Sequence, residues 1–382
     1  MNKNIETKRV RVDESLLFFN KLHNIETRWG KIFITFLMSI FFAIASIVMI
    51  QNTGLYGLGV DALSHSIGRF VGYFSLKAGA NPALARTIFV ILFWGITVLL
   101  NIPLIIFSYF KINKNFAIYT FLFIILSSIF GIGFSYIPNS EKWSLFGDVV
   151  NQKAYSESQG LISIALWTQQ DASKHMPLII YGVLWAIIYA IVSAVMFIIS
   201  SSNGGFDVLV VYYSREKFKN LGFFFLIFHI LSLNIGNLIG SYIPTSVLID
   251  IDPDFNPMTP YDSHLFFNPD YISGVIMILV NSLVVDILFP KFKLVRVDVM
   301  SQNVEEIREA IYSYSAIRFA TSISKIEGGF SGNEQKKLST NCFYMDAHTF
   351  TKIVRQIDPD ALIIVYPIKK ASGYMYISHK NT

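Results

Sequence analysis

Six apolar blocks run along the chain at about 32–50, 87–110, 116–136, 177–199, 221–243 and 271–289. Each approaches the roughly 20 helical residues that cross a hydrocarbon layer. Backbone groups in lipid must bond within their own segment, so each block predicts a spanning helix. Pro103 falls inside the second block and predicts a kink there. Two stretches interrupt the pattern with small and polar residues: Gly57-Leu58-Gly59-Val60-Asp61, and Ser200-Ser201-Ser202-Asn203-Gly204-Gly205-Phe206-Asp207. Phe206 to Tyr213 is too short to cross a bilayer, so a half-helix that enters and returns is expected.

The pattern changes from Lys293. Val295 to Val299 alternates as a strand, and Val304 to Ser315 has helical spacing with Ile307, Ala310, Ile311 and Tyr314 on one face. Ala320 to Lys325 predicts a strand, Glu327 to Asn333 a Gly-rich loop, Lys337 to Met345 a strand, Ala347 to Ile357 a helix and Ala361 to Ile368 a strand. The order βαββαβ predicts an α+β ferredoxin-like domain.

The membrane part repeats itself. Ala43-Ile44-Ala45-Ser46-Ile47-Val48-Met49 matches Ala190-Ile191-Val192-Ser193-Ala194-Val195-Met196, and each is followed by a glycine-bearing stretch ending at Asp61 or Asp207. Leu100-Asn101-Ile102 is echoed by Leu233-Asn234-Ile235, and Ser108-Tyr109 by Ser241-Tyr242. Three spans per half turn the second half over, which predicts two inverted repeats, an arrangement of many secondary transporters. The expected organisation is a cytoplasmic tail at 1–31, a transmembrane domain at 32–290 and a cytoplasmic domain at 291–382. Within the membrane part, repeat one is 32–136, an external loop is 137–176 and repeat two is 177–290.

Composition agrees with a polytopic α-helical bundle: of 382 residues 53% are hydrophobic and 15% charged, against about 25% charged in soluble chains. The net charge is +5, and its distribution sets the expected topology. Lys and Arg favour the cytoplasmic side. The tail (Lys3, Lys8, Arg9, Arg11, Lys21, Arg28, Lys31), the turn with Lys111 and Lys114, the segment with Arg215, Lys217 and Lys219, and the stretch with Lys291, Lys293 and Arg296 all fall inside if both termini are cytoplasmic. The acidic loop Asp250 to Asp270, with Asp252, Asp254 and Asp262, then falls outside, and Trp143 and Trp167 of the long loop belong at the interface. Ser15 to Phe19 is either a surface helix or a tail packed on the bundle. The first 31 residues lack an apolar core with a cleavage site, so no removable signal is expected. The single Cys342 excludes an internal disulfide, and the sequence carries no metal-ligand spacing, Walker-type phosphate loop or nucleophile triad.

The candidate chemistry lies in the interruptions. A half-helix opening near Phe206 would carry free N–H groups and roughly half a positive charge at its end, suited to an anion or carboxylate near mid-membrane. Ser201, Ser202 and Asn203 add side-chain hydrogen bonds, Gly204 and Gly205 open unusual backbone angles, and Asp207 is placed to hold a cation or a proton. The alternative is an ordinary turn with Asp207 capping an interfacial helix. Gly57, Gly59 and Asp61 form the counterpart. Asn101 and Asn234 either line a shared cavity or hydrogen-bond between helices. His229 reads as a packed polar residue, Asp286 as a partner of Lys291, and His65 and Arg69 as too scattered to assign. In the C-terminal domain, Gly328, Gly329, Ser331, Gly332, Lys336 and Lys337 form a candidate anionic-effector loop, with a solvated hairpin as the alternative.

The residues Asn101-Ile102-Pro103-Leu104 followed by Asn115-Phe116-Ala117, Gly204-Gly205-x-Asp207, and Val284-Val285-Asp286 resemble the YitT family of bacterial membrane proteins, over nearly the whole chain from about residue 33. Glu305-Glu306-Ile307, the Gly-Gly-Phe-Ser-Gly loop, Lys337-Leu338 and Val354-Arg355-Gln356-Ile357-Asp358-Pro359-Asp360-Ala361 resemble that family's C-terminal domain. The resemblance implies a multi-pass plasma-membrane protein with a cytoplasmic domain shaped like PII-type sensors. It implies no established activity. Phe206 departs from the small or hydroxylated residue usual there, and the loop 137–176 is longer than usual. Two functions stay open. One is a secondary transporter of a small solute, anions among the candidates, with a regulatory domain. The other is a non-transporting membrane sensor or scaffold. No catalytic residue and no cofactor is expected; the expected partners are the bilayer, a small-molecule or ion substrate, an effector for the C-terminal domain and a second copy of the chain, with no nucleic acid.

Overall fold

The structure is a computed structural model that describes residues 19–23, 25, 27–145, 176–217, 219–251, 258–290, 293–314, 318–328 and 332–371. Residues 1–18, Trp167, Asp252, Asp254, Lys291, Gly329 and Ser331 lie outside the described residues.

Among the described residues, six helices are long and apolar enough to cross a membrane: Arg28–Gln51, Ala83–Lys111, Lys114–Ser135, Pro177–Ile198, Leu221–Val247 and Pro269–Leu288. They belong to helices α1 (Arg28–Ser46, continued by a π-helical turn Ile47–Gln51), α3 (Pro82–Lys111), α4 (Lys114–Ser135), α5 (Met176–Ile198), α7 (Leu221–Asn237, continued through a second π-helical turn Leu238–Tyr242) and α8 (Pro269–Leu288). Local chemistry sets several of their starts. Asn81, Asn113 and Asn268 cap α3, α4 and α8 by accepting backbone N–H bonds, and Pro82 and Pro269 occupy the first turn, where no N–H is needed. Helix α3 runs on through Pro103. Leu99, Ile106, Ile129 and Leu283 stay more than half exposed on these spans, as expected of side chains that contact lipid.

Two shorter helices follow the interruptions: α2 (Val60–Lys77) and α6 (Asp207–Lys217). Packing pairs the two halves element by element. α1 lies on α4 as α5 lies on α8, and α3 on α4 as α7 on α8. α2 packs on α3 as α6 packs on α7, and each interrupted helix also crosses to the other half, α2 to α7 and α6 to α3. With three spans per half, the second half is inverted relative to the first.

Strands β1 (Leu294–Ser301), β2 (Thr321–Glu327), β3 (Glu334–Phe343) and β4 (Leu362–Pro367) form one antiparallel sheet in the order β2-β3-β1-β4. Helices α9 (Val304–Ser313) and α10 (Tyr344–Ile357) complete the βαββαβ order. Their core joins Val295, Val297 and Val299 to Ile307, Ile311, Phe350 and Val354. β3 starts earlier than the sequence pattern implied, because Glu334 to Lys337 pair with β2 and shorten the Gly-rich loop. Met345 of α10 packs against the core of the bundle.

Candidate functional site

The two interruptions meet inside the bundle. After α1 the chain turns at Gly54 and reaches Gly59, whose φ of +64° ends the stretch and opens α2. After α5 it turns at Ser200 and passes Gly204 and Gly205 with φ of +86° and +58°. These angles strain any residue with a Cβ. Space is also short: a Cβ on Gly205 would stand 3.2 Å from Cβ of Val60, and one on Gly204 would stand 2.5 Å from Ile124. A Cβ on Gly59 would stand 3.5 Å from Nε2 of His229 and 3.7 Å from Cβ of Phe206. The start of α2 therefore faces the start of α6 and the side of α7.

Side chains from four helices bind the second interruption. The Asn101 amide oxygen of α3 accepts the N–H of Gly205, while its NH2 donates to the Thr97 carbonyl at 2.7 Å. The Thr120 hydroxyl of α4 accepts the N–H of Ser202 at 3.0 Å, and the Ser202 hydroxyl accepts the N–H of Gly204 at 3.1 Å. Amides that the half-helix was expected to offer an anion are thus already taken by the protein. Asp207 is fully covered. Its carboxylate accepts from the Tyr189 hydroxyl at 3.1 Å and the Ser193 hydroxyl at 3.5 Å, and Nε2 of His229 lies 3.7 Å away. Asn203 donates to the Ser193 hydroxyl at 2.7 Å. Asp61 stands in the first turn of α2, within charge range of Asp207, and keeps part of its surface open, as does Phe206.

Of the residues singled out in sequence, Gly59, Asp61, Asn101, Ser202, Asn203, Gly204, Gly205 and Asp207 come together here. Gly57 backs Asp61, with room for no Cβ. Asn234 does not join them: it donates to the Ile230 carbonyl and accepts from the Tyr271 hydroxyl at 3.2 Å. Asp286 accepts the N–H of Gly222 at 2.8 Å at the start of α7; its expected partner, Lys291, lies outside the described residues. Tyr189 and Thr120 belong to the centre and carried no sequence signal, since single polar residues in apolar helices are common; Ser193, also at the centre, was visible only as the repeat's match to Ser46. His229 was visible but read as packing.

A second polar cluster closes the bundle at the end opposite the C-terminal domain. Arg69 of α2 is fully buried, donates to the Gly54 carbonyl and lies 4.9 Å from the centre of the Tyr56 ring. Tyr56 also feels the charge of Asp270, and Asn268 ties Asn237 and Ser241 together. His65 packs among Tyr56, Phe89 and Phe93. A signal for Arg69 existed: Arg follows Asp by eight residues in both interrupted helices, Asp61 to Arg69 and Asp207 to Arg215.

In the C-terminal domain, Lys336 donates to Glu305 at 2.7 Å and Lys337 lies 3.4 Å from Asp298. Both lysines of the candidate effector loop are therefore engaged within the domain. Gly332 donates its N–H to the Gly328 carbonyl, closing the described part of the loop.

The chain is 31% identical over 375 residues to a Mycoplasma pneumoniae protein named as an MG432 homolog, covering 96% of this chain and 92% of the relative. MG432 of Mycoplasma genitalium is 30% identical over 98% of this chain and 94% of its own, and MG443 of the same organism 32% identical over 97% and 94%. The chain belongs to this MG432–MG443 family. Residues 319–373 match a family described as an uncharacterized protein conserved in bacteria, DUF2179. That match starts before β2 and ends beyond β4, so it covers the β2-to-β4 part of the C-terminal domain of this MG432–MG443 member and leaves β1, α9 and the bundle outside it. No solved structure matches the chain.

Proposed function

We propose that this protein is a secondary transporter of a small solute, kin to the YitT proteins, with its substrate path between the two interruptions and a regulatory C-terminal domain. The observation that carries this reading is the meeting of Gly59-Val60-Asp61 with Gly205-Phe206-Asp207 inside the bundle, across the junction of two inverted repeats. Discontinuous helices meeting near the bilayer midplane at a repeat interface are the common ground of such carriers. The sealed Arg69–Tyr56 cluster supports a closed far end, and the open surface of Asp61 and Phe206 supports access to the centre.

Each interrupted helix carries its own carboxylate in the first turn, and the Gly204 and Gly205 amides are bonded internally. Both features weaken the case for an anion at the helix ends and favour a neutral or cationic solute. The orientation proposed is cytoplasmic for the domain end. Lys111, Lys114, Arg215, Lys217 and Lys219 lie toward that end, where the ring of Phe107 of α3 meets that of Tyr212 of α6 edge to face. A plasma-membrane location follows from the same reading.

The test is uptake by liposomes holding the full chain, offered a labelled mixture of small metabolites. Asp207→Asn and Gly205→Leu are expected to abolish uptake while the protein still inserts. Normal uptake by both variants would refute the reading.

A further inference from the structure

We propose that Asp61 and Asp207 form a proton-binding site at the centre of the bundle, loaded from the water that reaches Asp61. As a coupling site it rests on the transport reading; as a binding site it stands alone.

Charge balance is the first ground. Asp207 faces one imidazole, His229, at 3.7 Å; Asp61 opens α2, whose start meets that of α6, and neither carboxyl has a lysine or arginine partner among the described residues. Even with His229 cationic, one negative charge remains. The positive ends of α2 and α6 offset part of it. Asp207 has no open surface, so the remainder is held away from water. A proton on one carboxyl of the pair removes it.

Unpartnered buried groups are the second, independent ground. Asn203 is 9% exposed, and its amide oxygen has no hydrogen-bond partner. His229 is fully buried, and neither ring nitrogen makes a hydrogen bond. Among the described residues no three His, Cys, Asp or Glu side chains gather as metal ligands, which favours a proton over a divalent ion.

The titratable groups facing the pair are Tyr189 from α5 and His229 from α7; α3 and α4 contribute Asn101 and Thr120, which do not titrate. In the loading step a hydronium ion gives a proton to one oxygen of the Asp61 carboxylate and leaves as water, and the carboxylate becomes a neutral carboxyl. Passage to Asp207 restores the first charge and removes the second, and nothing is oxidised or reduced.

Infrared difference spectroscopy on the full chain in lipid, stepped from alkaline to acid pH, reads the carbonyl stretch of a protonated carboxyl. That band is expected at pH values where an ordinary aspartate, with a pKa of about 3.9, is ionised. Asp61→Asn and Asp207→Asn are each expected to lose it, and Asp286→Asn to keep it. Tyr189→Phe removes a hydrogen bond to the ionised form without changing charge, and should move the midpoint to higher pH. Loss of the band in Asp286→Asn alone, an unmoved midpoint in Tyr189→Phe, or a band that disappears when sodium chloride replaces choline chloride would each overturn the proposal. A band without uptake would leave the proton site standing and remove the transporter; uptake without a band would do the reverse.

Discussion

Helices α2 and α6 open alike and end differently. Each begins behind a glycine with positive φ, carries Asp in its first turn and Arg eight residues later. Arg69 is nonetheless wholly buried under Tyr56, while Arg215 is partly open and α6 stops two residues beyond it. The shared half of the pattern serves the place where the repeats meet, because both helix starts pack there. The divergent half answers to the end of the bundle each helix reaches: one packed with Asn268, Ser241 and Tyr56, the other leaving Arg215 partly exposed.

The largest expected difference is between the two arginines. Arg69→Gln leaves a buried site without its cation, a loss on the order of 3–5 kcal/mol for buried charge partners. Arg215→Gln should stay within about 0.5 kcal/mol, as surface changes usually do. Thermal denaturation of the purified chain in detergent checks both, and equal losses would erase the contrast. Next in size is accessibility. The native Cys342 thiol is pushed up to about 12 by burial and then by the charge of Asp346, so it stays unreactive at neutral pH. An impermeant maleimide should label Arg215→Cys at least ten times faster than Arg69→Cys when it has access to the domain end.

Smaller effects test the shared half. Gly59→Ala and Gly205→Ala both place a Cβ at positive φ, at about 1–2 kcal/mol each, so both should lower the melting temperature by similar amounts, Gly205→Ala by slightly more because its Cβ also meets Val60 at 3.2 Å. A much larger shift at one site would show that the repeats differ at the meeting point too. The smallest effect lies outside the repeats. Burial raises the Asp298 carboxyl, but hydrogen bonds from Arg296 and Ser339 and the charges of Arg296 and Lys337 outweigh it and leave it below its ordinary value. A depressed carboxyl stabilises the folded domain above the ordinary carboxylate range, and that stability is lost as pH falls through its own lower value. Asp298→Asn should therefore flatten the acid limb of the domain's melting curve slightly and leave uptake unchanged.

Much of the architecture was legible because hydropathy and turn chemistry are local. The six spans and the β-strands lie within a few residues of the expected positions, and the repeat was visible in Ala43 to Asp61 against Ala190 to Asp207. The site was legible only in part. Asn101 and Asn234 are equivalent in the repeat, yet Asn101 binds Gly205 and Asn234 binds Tyr271. Nothing within either helix separates them; what each touches across the bundle does.

The amino-acid sequence by itself determined a membrane bundle of six spans in two inverted halves, two glycine-led interruptions and a βαββαβ domain. Apolar length, glycine and periodicity act over a few neighbouring residues, so they can be read along the chain. Only the tertiary structure decided that Tyr189, Ser193 and His229 surround Asp207, that Asn101 and Thr120 take the amides an anion would have used, and that Arg69 seals one end. Those outcomes depend on which faces of distant helices are pressed together, a property of packing that no single segment contains.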